Sequence, residues 1–141
     1  MSGSVSALLP DGRRLHLQHG PIDLIIQAFG APAEIKQAYR QAISRFDTVL
    51  DELVSELDGL RQPISSTSAL SSTVAKRMIA ATKPISGVFI TPMAAVAGAV
   101  ADEVLQAIIE GRTLDRAYVN NGGDIAIHLA SGAVFDVGMA L

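Results

Sequence analysis

Asn120-Asn121-Gly122-Gly123-Asp124 stands between the apolar run Ala117-Tyr118-Val119 and the alternating run Ile125, Ile127, Leu129. Glycine adopts positive φ without a Cβ clash and lets another molecule approach the backbone closely. Asn-Gly and Gly-Gly pairs are favoured at hairpin turns, so one reading is a tight reversal between two strands. The asparagines add amide donors and acceptors, and Asp124 adds a carboxylate at the start of the second strand. A turn of this kind also holds a polar ligand against exposed backbone N–H groups. The local sequence fits both readings, and one turn can do both.

Outward from this turn, the chain divides into strand and helix patterns. Ala7–Leu9 and Arg13–Gln18 read as short strands around Pro10-Asp11-Gly12, with Leu15 and Leu17 alternating with polar residues. Ile22–Phe29, centred on Leu24-Ile25-Ile26, reads as a third strand buried on both faces. Pro32 suits the first turn of a helix. From there to Leu57, Ile35, Ala38, Ala42, Phe46, Val49, Leu53 and Leu57 recur at helical spacing, and Gly59 reads as the stop. Such a helix would be roughly 39 Å long. Arg61–Ser68 reads as a loop and Ala69–Thr82 as a shorter helix.

Thr91-Pro92 has the residues of an N-cap and first helical position. The helix it opens carries Met93, Val96, Ala97, Val100, Val104, Leu105 and Ile108 as an apolar stripe and ends at Gly111. Gly98 costs ~1 kcal/mol against alanine inside a helix, which points to close approach of a sheet or ligand there. Ala117–Asn120, Asp124–Leu129 and Ala133–Met139 complete the pattern as strands. The run Val134 to Leu141 reads as a strand still in progress, so the expectation is one domain that continues in a longer polypeptide.

Composition narrows the function classes. The 141 residues carry a net charge of −3, without the basic footprint of a nucleic-acid binder. There is no cysteine, which excludes disulfides, thiolate metal sites and cysteine nucleophiles. No signal peptide is recognisable, and no apolar run reads as a membrane span, so a soluble cytoplasmic protein is expected. His16, His19 and His128 lack metal-ligand spacing. Ser65–Ser68 and Ser71–Thr73 are hydroxyl-rich and read as a loop with an N-cap. Asp102 and Glu103 fit a solvated helix face. Asp102 also fits the rim of a ligand lying on the small-residue surface around Gly98 and Ala99.

Thr91-Pro92-Met93-Ala94-Ala95-Val96-Ala97-Gly98-Ala99-Val100-Ala101-Asp102, followed by Val119-Asn120-Asn121-Gly122-Gly123-Asp124-Ile125, resembles the ApbE-like superfamily. In ApbE a Lys-Gly-x-x-x-Asp helix precedes an Asn-x-Gly-Gly-Asp turn. The closer similarity is to a group of cytoplasmic ApbE-like proteins that share Thr-Pro-Met-Ala-x-Val-Ala-Gly and Asn-Asn-Gly-Gly-Asp, and to their opening Leu-Pro-Asp-Gly-Arg-Arg, here Leu9–Arg14. The similarity spans essentially the whole chain and corresponds to the N-terminal half of those longer proteins.

ApbE proteins are magnesium-dependent flavin transferases. They cleave FAD and attach FMN to a threonine or serine of a target flavoprotein, and an older label ties them to thiamine biosynthesis. The resemblance implies that Gly98 and Asp102 belong to the helix motif. It also implies that Asn120, Asn121, Gly122, Gly123 and Asp124 form a dinucleotide-binding turn for FAD or FMN with magnesium. Two features depart from ApbE: Ala97 stands where the lysine is, and the later metal-binding segment would lie beyond Leu141. Magnesium commonly takes one or two carboxylates together with substrate phosphates, which Asp102 or Asp124 would supply. Micromolar affinity needs about −8 kcal/mol, whereas an anion at a helix N-terminus gains ~0.3–1 kcal/mol. Ring burial and the metal would have to carry the difference. No catalytic base is identifiable.

The expected architecture is α+β: a mostly antiparallel sheet packed against the long helix and the Pro92 helix. The expected function is flavin or nucleotide binding, with metal-dependent FMN transfer if the protein is active. The alternative is a non-catalytic relative that assembles with like subunits through exposed strand edges.

Overall fold

The computed structural model describes residues 3–63, 70–83 and 91–135. Five strands form one sheet in the order β1-β2-β3-β4-β5: β1 Val5–Leu8, β2 Leu15–His19, β3 Ile22–Phe29, β4 Arg116–Asn121 and β5 Asp124–Leu129. Every neighbouring pair is antiparallel. The helices are α1 Pro32–Ser55, α2 Leu57–Leu60, α3 Thr73–Thr82 and α4 Val96–Ile109, the last preceded by a 3₁₀ turn over Pro92–Ala95. The α+β class and the antiparallel sheet follow the sequence reading.

One face of the sheet is dry. Leu15, Leu17, Ile22, Leu24, Ile26, Ala28, Ala117, Val119 and Ala126 point to it and are buried. α1 packs on β2 and β3, α4 packs on β4 and β5, and α3 rests on both helices. Phe46, Val49, Val100, Val104 and Ile108 are the helical side of this core, each 0 % exposed. Full burial of such a side chain contributes roughly 1.5–3 kcal/mol.

Several local expectations are corrected. β3 alternates buried positions with exposed Asp23 and half-buried Ile25, Gln27 and Phe29, and is not buried on both faces, because the helices cover only one side of the sheet. The hairpin around Pro10-Asp11-Gly12 is present with shifted bounds, its strands being Val5–Leu8 and Leu15–His19: Leu8 pairs with Leu15, and the loop between is closed by the Leu9 N–H donating to the Arg14 carbonyl. Asp11 organises that loop by accepting the N–H groups of Arg14 and Arg13, which hold its carboxyl down to about 2.

α1 stops at Ser55, and Gly59 lies inside α2 instead of terminating the long helix. α3 starts later than Ala69, where Ser72 accepts the Ala75 N–H as its N-cap. Thr91 makes no side-chain cap, and the first turn after it is 3₁₀. Ala133–Phe135 is not a strand, while 136–139 and the hydroxyl run 65–68 lie outside the described residues.

Pro92–Ile109 has mean hydropathy 1.4 over 18 residues and passes for a membrane span by length and composition, contrary to the sequence expectation. In this fold the segment packs between the sheet and the other helices as a core helix.

A polar clamp ties the helices together beside this core. Glu103 on α4 is 12 % exposed and accepts Arg45 Nε of α1 and Arg77 Nε of α3, each at 2.9 Å. Thr73 donates to it at 2.9 Å, and Arg45 also reaches Glu52 at 2.7 Å. Burial alone would raise the Glu103 carboxyl, but the hydrogen bonds from Arg77, Arg45 and Thr73 outweigh it and hold it below its ordinary value of 4.5.

A carboxyl depressed in the folded state contributes stability above its unfolded value, and that contribution is lost as pH falls through the folded value. Chemical denaturation as a function of pH should therefore show wild-type stability declining as pH drops below about 4.5. Glu103→Gln should be less stable at pH 7, with a flatter decline over the same window.

Candidate functional site

The β4–β5 hairpin turns on Gly122 and Gly123 alone, with φ of 60° and 106°. Positive φ at both central positions is the type I′ geometry that matches the twist of the flanking strands. Asn121 pairs with Asp124 across the turn. The Asn120 side chain accepts the Gly123 N–H at 2.9 Å, so that amide is committed internally. The Gly122 N–H has no hydrogen-bond partner among the described residues, and the residue is exposed.

The start of α4 comes up against this hairpin. Asn121 Nδ2 donates to the Ala97 carbonyl at 3.2 Å. A Cβ placed on Gly98 would meet only Asp124 Oδ1, at 4.0 Å, outside its own helix. The two glycine-bearing segments thus converge, although Gly98 and the turn are separated by a full helix and strand in the chain. Gly98 is half-buried, and Asp102 follows it by one helical turn and is exposed. Residues four apart share a helix face, which places Asp102 along the row begun by Gly98.

Asn121, Gly98 and Asp124 are therefore brought together. Asn120 holds the turn through its bond to Gly123; Gly122 and Gly123 form the turn itself, and Asp102 is placed only by its helix row, one turn beyond Gly98. Glu103, grouped with Asp102 in the sequence, belongs to the helix clamp instead.

The converging residues are carboxylates, amides and glycines, without a lysine or arginine among them. A pyrophosphate facing Asp102 and Asp124 would need a cation between, and two carboxylates plus phosphate oxygens are an ordinary magnesium donor set. The described residues contain no group of three or more His, Asp or Glu arranged to hold a metal unaided. The histidines are placed elsewhere: His16 lies 2.7 Å from Asp23 on the sheet, His19 is buried edge-on to Phe46, and His128 is half-buried in β5.

A large cavity lies at the other end of the sheet. It measures about 1000 Å³ and runs beneath β1 along α1. None of its residues reads as part of a site in the sequence, although Lys36 and Arg40 place like charges one turn apart on α1.

The model of the family described as AbpE bacteria matches residues 6–141. No curated protein and no solved structure matches the chain.

Gly98 and the turn glycines should respond in opposite directions to alanine. Gly98→Ala meets no steric obstacle and should raise stability by ~0.5–1 kcal/mol in urea denaturation, from helix propensity. Gly122→Ala forces a side chain into the left-handed region and should lower it by ~1–2 kcal/mol.

Proposed function

The chain belongs to the AbpE bacteria family, and we propose that it binds a flavin or flavin nucleotide where α4 meets the β4–β5 turn. The observation that carries this reading is the approach of Asp124 Oδ1 to the open space over Gly98, with nothing else outside the helix within 4 Å. A glycine there weakens the helix, and an apposed ligand is the compensation that the sheet contacts do not supply.

In this reading the Gly122 N–H and the second N–H of the Asn121 side-chain amide donate to the phosphate portion. Asp124 and Asp102 hold magnesium against it, since no side-chain cation is at hand to neutralise the phosphates. With FAD and magnesium bound, the acceptor hydroxyl oxygen would bond to the FMN phosphorus as the pyrophosphate bond breaks, AMP would leave and the hydroxyl proton would pass to solvent, as the resemblance to ApbE implies. The chain's own contribution is positioning: Asn120 fixes the turn and Asn121 fixes the turn to α4.

A second reading is favoured by β5. Its residues Ile125, Ile127 and Leu129, on the uncovered face of the sheet, are 54 %, 47 % and 46 % exposed, and among the described residues β5 is the last strand of the sheet. An apolar edge of this kind pairs readily with another chain, which fits a binding or structural module built by assembly of like subunits.

Calorimetric titration with FAD and FMN, with and without magnesium, should give micromolar binding that requires the metal. Gly98→Val should weaken it at least tenfold while the protein stays folded. Absence of flavin binding by the wild-type protein removes the first reading, and a monomer by light scattering at high concentration removes the second.

A further inference from the structure

We propose that the groove beneath β1 is a second binding site, for a small amphiphilic anion: an apolar body bearing one carboxylate or phosphate head. It is distinct from the turn. Leu24 pairs with Asn121 at the turn end of β3, whereas Phe29 pairs with Arg116 at the groove end, roughly 17 Å away along the strand.

The apolar lining comes from an overhang. α1 covers β2 and β3, but β1 extends past it. Leu8 pairs with buried Leu15 and shares its helix-facing side, yet is 56 % exposed. Opposite it, Ile35, Tyr39 and Ile43 form a row at four-residue spacing along α1 and line the same groove. The Tyr39 hydroxyl is already engaged, donating to the Arg13 carbonyl and accepting the Ala28 N–H, so its ring is fixed as a wall. A cavity of about 1000 Å³ is at the upper end of the range that small-molecule sites occupy.

The charge is arranged for an anion. Arg13, Lys36, Arg40 and Arg116 line the groove, against Asp115 as the single carboxylate. None of these four cations has an ion-pair partner among the described residues. Elsewhere Arg14, Arg45, Arg77 and Arg112 are each matched with an acidic side chain, while Arg61, Lys76 and Lys83 make no ion pair among the described residues and lie outside the groove. Lys36 and Arg40 also repel one another across one helical turn, an arrangement that destabilises a helix unless an anion relieves it. In a chain of net charge −3, this local excess of unmatched cations over an apolar floor is complementary to an amphiphile's head and body. Arg116 is the least available of the four, since its guanidinium stacks over Phe29 at 4.2 Å and donates to the Val134 carbonyl.

Isothermal titration of the full chain with dodecanoate, dodecyl phosphate, dodecanol and dodecyltrimethylammonium, all below their micellar concentrations, tests the proposal. Both anions should bind at least tenfold more tightly than the alcohol or the cation, and more weakly as salt rises. Lys36→Glu combined with Arg40→Glu should abolish the preference for anions without lowering the melting temperature, because both side chains are exposed and unpaired. Leu8→Asp should weaken binding of every amphiphile. Equal binding of the four probes, no binding, or an unchanged preference in the double variant overturns the site. Co-sedimentation with phosphatidylglycerol vesicles without binding of the free anions overturns it as well, since the face would then be a membrane contact.

Discussion

The pairing of β3 with β4 is the constraint on which the rest depends. It joins the N-terminal hairpin to the C-terminal one across the four α-helices of the described residues, with Leu24 opposite Asn121 and Phe29 opposite Arg116. Because side chains alternate strictly along a strand, a slip of one residue would send Leu24, Ile26, Ala117 and Val119 to solvent. Those four are almost wholly buried at present, so the register is fixed by the core and not by any local turn. Loop closure over such a separation is entropically unfavourable, and the pairing holds because α1 and α4 seal its inner face.

That register also sets the chemistry at each end of the sheet. It carries the Gly-Gly turn to the start of α4, where Asn121 fastens onto the Ala97 carbonyl. It carries Arg116 to the opposite end, next to Phe29 and the N-terminal part of α1. The turn does two things at once. Its positive φ values and the Asn120 bond to Gly123 are what any tight hairpin needs. The space left over Gly98 has no such explanation within the hairpin, because a methyl group would fit there and would favour the helix.

Local pattern carried much of this fold, and tertiary contacts decided the remainder. The spacing of Ala38, Ala42, Phe46 and Val49 on α1 was legible because one helix face meets the sheet. The alternation in β2 was legible for the same reason. β3 misled because Ile25 lies among buried neighbours in sequence but on the uncovered face in space. Gly59 misled because it is accommodated inside a short helix, against Leu70, and not at a helix end. Glu103 was indistinguishable from a solvated residue until Arg45 and Arg77, from two other helices, were seen to meet it. The convergence of Gly98 with the turn was expected from resemblance; spacing alone could not have shown it. The groove depends on β1 overhanging α1, a fact of layer geometry with no local signature.

The two ends of the sheet differ in how their charges are satisfied, and that difference bears on the ligands proposed for each. At the turn the free groups are the carboxylates of Asp124 and Asp102 with backbone and side-chain amides. An anion meets repulsion there unless a divalent metal comes with it. At the groove the free groups are cations over a hydrocarbon floor, and an anion needs no metal. Competition between magnesium-dependent and magnesium-independent binding is therefore not expected. Lattices of paired charge, such as the Glu103 clamp, are self-contained and leave nothing over for a ligand. Charges left unmatched at a folded surface near apolar walls are the ones available to recognise another molecule: carboxylates gather at the turn, and at the groove four cations outnumber Asp115.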